Sequence, residues 1–432
     1  MPWRCRRVAC TTAHAPYRLG GWSLDPRDGY SPVDRRMNDK SPPTRIFISA
    51  AEQSADEHAA AFISAFRRRR PDATFVGLAG PAMQAAGCRA LADLTTRSAM
   101  AHAAVSRVPE ALRMLAIFRK HFAREPHDAA VMIDSPALNL PIAKIARKAG
   151  VPVLYYIAPQ SWAWGWRRWR NQRIRARTTR VACIWPFEEP YFREWGIDAK
   201  YVGHPSFDRL LATPADPARV TAFRHDGQPV IAILPGSREH VVREVFPGQL
   251  EVARAIAARF RRARFIVTAA NGQVNALIQE INAHSRRSVG LTVVAGAADR
   301  AAAIAAADLA LVASGTVTLE VAFRRTPMIV MYNTNRWLYN LIGRWFITTK
   351  HLSIPNILAG EEIVPEFMPY YVNTSAISAR ALELLCAPGR LDAMRERLRQ
   401  VIEPIVRPGA ADNAAAVLDE MLNAGSIVRP LH

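Results

Sequence analysis

Cysteine is scarce in this chain: five among 432 residues, scattered at Cys5, Cys10, Cys88, Cys183 and Cys386. No spacing among them suits zinc, and they do not make the dense framework of a small secreted domain, so a reducing cytosol is expected. Long apolar runs are missing as well. None approaches the roughly 20 residues that span a bilayer, so the chain is expected to be cytoplasmic, free or peripheral on a membrane. Acidic residues are few: 37 Asp+Glu against 57 Lys+Arg leave a formal charge of +20. That balance favours an anionic partner, whether nucleic acid, anionic lipid or a phosphorylated substrate. G-x-G-x-x-G is absent, which argues against a typical dinucleotide cofactor site.

What remains is ordinary globular material, 50% hydrophobic and 22% charged, and a length that suits two domains better than one. Residues 1–43 stand apart. They are rich in Arg, Pro and Gly, show no periodicity, and lack the apolar core of about 7–15 residues that a signal peptide needs. They are expected to be a disordered or mis-called extension, with Met37 as the true start.

From Arg45 apolar runs alternate with helical patterns. The runs are Ile46–Ala50, Thr74–Leu78, Ala129–Ile133, Val153–Ile157 and Val181–Ile184, then Val230–Leu234, Phe265–Ala269, Leu291–Val294, Leu309–Ala313 and Met328–Met331. Two such series predict an α/β protein with two Rossmann-like, doubly wound parallel sheets. The expected division is 44–205, 206–374 and closing helices over 375–432, with the boundary in the polar segment Gly203–Pro229.

Ligands of open α/β sheets bind beyond the carboxyl ends of strands. Val230–Leu234 runs into Pro235-Gly-Ser-Arg238, where a tight turn and a helix start offer free N–H groups to an anion and Arg238 can fork onto phosphate. Ser314-Gly-Thr316 follows Leu309–Ala313 in the same way, and Glu320 lies one turn on, placed to take both hydroxyls of a ribose. Asn271 follows the Phe265 run. Together these suit a nucleotide-sugar site.

In the first half, Ser54 and Glu57 fit a capping box, with Ser54 and Asp56 as candidate ligands. Asp134 is a candidate general base or a cap for the next helix, and Asn139 a loop support or a substrate contact. His204, near the boundary, is either structural or catalytic. Tyr156-Ile-Ala-Pro-Gln160-Ser-Trp162-Ala-Trp164 leads into an Arg-rich stretch. Aromatics interleaved with Arg suit a lipid headgroup layer, a nucleic acid or a plain solvated basic helix.

Taken in order, Gly77-Leu-Ala-Gly-Pro-Ala-Met83, Asp134-Ser-Pro136 with Asn139, the Tyr156–Trp164 stretch, Pro186-Phe-Glu188, Val202-Gly-His-Pro205, Leu234-Pro-Gly-Ser-Arg238, Ser314-Gly-Thr-Val-Thr-Leu-Glu320 and Pro355-Asn-Ile-Leu-Ala-Gly360 resemble the lipid-A-disaccharide synthases, glycosyltransferases of the GT-B type. The resemblance implies two Rossmann-like domains facing a central cleft, with no cofactor and no metal. It implies transfer of diacylglucosamine from UDP-diacylglucosamine to diacylglucosamine phosphate (lipid X), with inversion and release of UDP, at the cytoplasmic face of the inner membrane. It also implies a homodimer with exchanged C-terminal segments. Asp134 matches the general base. Arg238, with Gly236 and Ser237, matches the diphosphate clamp, and Ser314, Gly315, Thr316, Glu320, Asn271 and Asn356 match the rest of the UDP-sugar site. Ser54, Asp56, Asn139, Gln160, Trp162 and His204 fall on the acceptor side or its loops.

The chain departs from the family at several points. Ala51 and Ala55 replace glycines of the first turn, which threatens close approach or a positive φ. Ala104 and Val241 replace glutamates, Ala137 an aspartate, and Pro365-Glu-Phe-Met-Pro369 loses a glutamine. These losses leave room for a GT-B enzyme with another UDP-sugar and acceptor, or a non-catalytic paralogue. A nucleic-acid partner rests only on charge and the Trp/Arg stretch and is not expected. Trp162–Arg177 and Arg336–Phe346 are the candidate surfaces for an anionic membrane.

Overall fold

Short apolar runs become strands when both their faces are covered, and here the central strands are buried from end to end. The computed structural model describes residues 43–92, 108–163, 165–225, 228–284, 289–333 and 349–426. The extension with Met37, Ala104, Trp164 and the 336–346 stretch lie outside the described residues.

The first sheet contains β1 (Arg45–Ala50), β2 (Thr74–Leu78), β3 (Cys88–Ala92), β4 (Ala129–Ile133), β5 (Val153–Tyr156), β6 (Arg180–Cys183) and β7 (Ala199–Tyr201), in the spatial order 3-2-1-4-5-6-7. Its helices are α1 (Gln53–Arg69), α2 (Pro81–Ala85), α3 (Val108–Arg124), α4 (Pro136–Lys148), α5 (Arg167–Arg177) and α6 (Glu188–Glu194). Two helices, α7 (Pro205–Ala212) and α8 (Pro217–His225), then lead to the second sheet. The segment read as a polar boundary is therefore mostly helical, with Pro at the first position of both helices, where its missing N–H costs nothing.

The second sheet contains β8 (Val230–Leu234), β9 (Arg264–Ala269), β10 (Leu291–Ala295), β11 (Leu309–Ala313), β12 (Met328–Met331) and β13 (Glu366–Phe367), in the order 10-9-8-11-12-13. Its helices are α9 (Glu239–Arg259), α10 (Gly272–Ala283), α11 (Ala297–Ala306), α12 (Val317–Phe323) and α13 (Ile354–Ala359). The chain ends in α14 (Ser375–Cys386), α15 (Pro388–Ile402) and α16 (Ala410–Ser426). All pairings are parallel. In each sheet the winding reverses once, between β1 and β4 and between β8 and β11, so each has one switch point.

Helix α1 shows why the layers hold. Ala55, Ala59, Phe62, Ile63 and Phe66 share one buried face, with Phe62 and Phe66 stacked at 6.2 Å. Truncating such an aromatic costs about 3–5 kcal/mol. The last helix, α16, comes back to this first layer. Arg70 Nε meets Asp419 at 2.7 Å, and the Asp208 carboxylate accepts the N–H groups of Gly409 and Ala410 at 2.6 and 3.0 Å.

Three strands carry no apolar run that marks them in the sequence. β3 and β7 are short and β13 has two residues, and each lies at a sheet edge where one side needs no burial. The capping box is not formed either. Glu52 is the N-cap of α1, without a side-chain hydrogen bond, and Ser54 sits exposed inside the first turn.

Candidate functional site

At the first switch point β4 ends in Asp134 and Ser135, both held in the left-handed region at φ 51° and 44°. Two consecutive non-glycine residues there store strain that the surroundings must enforce. Asn139, fully buried, does so. Its Oδ1 accepts from Ser49 Oγ at 2.7 Å, and its Nδ2 donates to the carbonyls of Ile133 and Asp134, both at 2.8 Å. Tyr155 Oη donates to the same Asp134 carbonyl at 2.7 Å. Asn139 is thus a loop support that ties β1 to β4. Asp134 itself gives α4 no side-chain cap, so the capping alternative is set aside. Burial holds its carboxyl above the ordinary aspartate value, opposed by the Ser135 N–H. A partly buried carboxylate of raised basicity at a strand mouth can accept a proton.

The other first-sheet candidates divide. Asp56 is buried and accepts N–H bonds from Gly80, Ala82 and Met83 at 3.0, 2.9 and 3.1 Å. It secures the start of α2 and is not free for a ligand, a correction to its candidate role. His204 caps α7, its Nδ1 accepting from Ser206 N at 3.1 Å, and lies 4.5 Å from the Trp185 ring. Burial, with His58 and Arg209 nearby, lowers its pKa to about 3, so it is a neutral structural cap. Gln160 is exposed at the loop after β5. Trp162 donates Nε1 to Glu188 Oε1 at 2.9 Å, while Glu188 Oε2 accepts the N–H groups of Ile184 and Trp185, both at 3.1 Å. Glu188 is fully buried, and burial pushes its carboxyl up to about 7 against those three donors. The Pro-Phe-Glu motif flagged this residue without giving it a task. Its task is to tie the Trp162 loop to the end of β6.

Neither Ala51 nor Ala55 has a positive φ, and Ala55 packs inside α1. The lost glycines therefore leave no backbone strain here. Ala137 is exposed in the first turn of α4.

At the second switch point the turns after β8 and β11 are neighbours, since Leu234 pairs with Val312. Gly236 has φ 110°, and a Cβ there would lie 3.0 Å from Val241 Cγ1. The turn thus requires glycine, and Val241 fills the space beneath it. Ser237, Arg238, Gly315 and Thr316 are exposed, and Ser314 is half-buried. Among the described residues, the N–H groups of Gly236, Ser237, Arg238, Gly315 and Thr316 meet no protein acceptor. Arg238 and Thr316 stand at the N-caps of α9 and α12, neither with a side-chain cap bond. Two helix starts with open N–H groups, side by side, are donors of the kind an anion needs. Glu320 is buried one turn into α12, and Arg300 Nε contacts both its oxygens at 3.1 Å.

Two further candidates are engaged by the protein. Asn271 is the N-cap of α10, its Oδ1 accepting from Val274 N at 2.8 Å. Asn356 is fully buried: its Nδ2 donates to the Val364 carbonyl and Glu366, and its Oδ1 accepts from Ile363 and Val364 N. Every polar atom of Asn356 is satisfied internally, so it folds the β12–β13 connection and is not available to hold a nucleotide sugar.

Two Rossmann-like parallel sheets, each with one switch point, define a fold of the GT-B type. Solved structures of low identity share this fold. MurG of Acinetobacter baumannii superposes with a TM-score of 0.53 at 16% identity, covering 88% of this chain and 100% of its own. The UDP-GlcNAc 2-epimerase of Neisseria meningitidis superposes with 0.52 at 12%, with the same coverages. The sequence narrows the class. The family model described as lipid-A-disaccharide synthetase matches residues 46–416. The lipid-A-disaccharide synthase of Syntrophus aciditrophicus is 35% identical over 375 residues, 86% of this chain and 96% of the relative. That of Myxococcus xanthus is 33% identical over 391 residues, 89% and 99%. The chain belongs to the lipid-A-disaccharide synthase family.

Proposed function

We propose that this enzyme of lipid A biosynthesis transfers diacylglucosamine from UDP-diacylglucosamine to the primary hydroxyl of lipid X, with inversion and loss of UDP. The observation that carries the reading is Asp134: a carboxylate raised in basicity by burial, on a strained turn at a switch point. Asp134 takes the proton of the attacking hydroxyl, which is worth about 10²–10⁴ in rate. The open N–H groups at the heads of α9 and α12, with Arg238, hold the diphosphate and stabilise charge on departing UDP. Glu320 accepts a ribose hydroxyl. Trp162, anchored by Glu188, supports the acceptor side. With a single base and no covalent intermediate, the sugar inverts.

Among the described residues no helix is long and apolar enough to cross a membrane. Access to two lipid substrates then calls for docking at an anionic surface. A groove of about 520 Å³ between α4 and α5 suits it: Lys144, Arg147, Lys148, Arg173 and Arg177 line it beside Trp169, with no carboxylate among its lining residues. Trp166 is 68% exposed at its approach. A homodimer is part of the same reading.

The test is UDP release and disaccharide formation by purified wild-type protein with both lipid substrates, alongside Asp134→Ala and Arg238→Ala. Product from wild type, lost in both variants, supports the reading. UDP-sugar binding without product from wild type transfers it to another acceptor or to a binding-only paralogue.

A further inference from the structure

Arg300 lies at an electrostatically unfavourable place, in the first turn of α11, where the helix dipole repels a cation. Its neighbour Asp299, which suits that end, is engaged by Arg219. Arg300 instead reaches across to α12. Its Nε sits 3.1 Å from both oxygens of Glu320, with Arg300 26% and Glu320 8% exposed at the side chain. Arg324, the C-cap of α12, interacts with Glu320 through its charge, while its Nη2 is anchored on the Thr213 carbonyl at 2.9 Å.

We infer that Arg300 is a positioning residue that locks Glu320 into the orientation in which it accepts the 2′-hydroxyl of the nucleotide ribose. The inference rests on the ribose role proposed for Glu320 and gives it a cause. A carboxylate has about four acceptor positions. The Arg300 N–H lies between the two oxygens and uses one position on each. The outer position on each oxygen remains, and the two point away from each other, so one of them can take a single ribose hydroxyl. Without Arg300, Glu320 would be a mostly buried charge beside only Arg324, free to swing toward that guanidinium and away from the ligand. A lock formed before the ligand arrives also removes the ordering cost from binding. The consequence is selectivity for ribose over deoxyribose, because a nucleotide lacking one hydroxyl leaves an oriented, buried acceptor unmet.

The experiment measures dissociation constants of UDP and 2′-deoxy-UDP by calorimetry on full-length wild type, Arg300→Gln, Arg300→Lys and Glu320→Gln. The ratio of the two constants is read within each preparation, so a partly unfolded sample does not mimic a change. Wild type is expected to prefer UDP by about tenfold or more, as a charge-assisted hydrogen bond implies. Arg300→Gln is expected to bring the ratio to within about twofold of unity, as Glu320→Gln does, while Arg300→Lys, which keeps the charge, restores part of it. An Arg300→Gln protein that keeps the wild-type ratio overturns the inference and leaves Glu320 as ribose reader. A wild type that binds both nucleotides equally overturns the ribose role of Glu320, and the inference with it.

Discussion

The two switch points are built alike and furnished differently. At β1/β4 nearly every polar side chain has a protein partner: Asp56 holds α2, Asn139 joins two strands, Glu188 anchors Trp162 and His204 caps α7. What is left over, among the described residues, is the Asp134 carboxylate with the buried Ser135 and Tyr156 hydroxyls. At β8/β11 the reverse holds: among the described residues, five backbone N–H groups and the Arg238 side chain are left open. One point is a scaffold around the carboxylate for which a base role is proposed. The other is a cluster of open backbone donors, for which a diphosphate-binding role is proposed. The difference teaches that proton transfer needs one group held in place, whereas binding a diphosphate needs many donors left unsatisfied.

The comparison breaks hardest at Asp134. Asp134→Asn is expected to lower kcat/KM by about 10²–10⁴ in a disaccharide assay while leaving UDP affinity unchanged. The same variant should melt no lower than wild type, because it removes a charge whose ionised form burial disfavours. The pH profile follows in sign. The base works ionised and its pKa is raised, so activity should fall with acid at a higher pH than an ordinary aspartate would give.

Next comes the open site. Arg238→Ala should cost about 10²–10³ in kcat and weaken UDP binding, and Arg238→Lys should recover only part, since an ammonium lacks the planar fork. Isothermal titration with UDP separates the binding share. If Arg238→Ala left UDP affinity and rate untouched, the second switch point would not be the diphosphate site.

Glu188 sharpens the scaffold side. Glu188→Ala orphans three N–H groups and should lower stability by about 1–3 kcal/mol in urea melts. Its pH signature is separable. The folded pKa of about 7 lies above the 4.5 of the free side chain, so the folded state binds the proton more tightly. The stabilising contribution is complete below about 4.5 and lost as pH rises through about 7. Glu188→Gln should flatten that part of the stability curve. Smaller still is Gly236→Ala, expected to cost about 1–2 kcal/mol from its positive φ and to weaken UDP binding by disturbing the turn. Least of all is Arg68→Ala. Its exposed bridge to Asp412 across α1 and α16 should contribute less than about 1 kcal/mol.

Much of the site was legible. Asp134, Gly236 and Arg238 could be read because they stand immediately after unmistakable strands, where an α/β sheet places its ligands. Asp56, His204 and Asn356 could not be told from ligands. They are the same residue types in the same loops, but their partners are backbone groups such as Gly80, Ser206 and Ile363. Arg300 carried no motif at all. Only the tertiary structure brings it from α11 to Glu320 on α12, twenty residues on. The edge strands β3, β7 and β13 escaped for a related reason, since half-exposed strands need no apolar run.

By itself the sequence determined where the central strands run and which turns carry glycine, and thereby that two parallel sheets would form. Those features follow from side-chain volume and backbone freedom, which act over a few residues. Which polar groups would be consumed by the fold and which would be left facing a ligand was decided by tertiary structure alone. A hydrogen bond needs its partner within about 3 Å, and for Asp56, Asn139, Asn356 and Glu320 the fold chooses that partner.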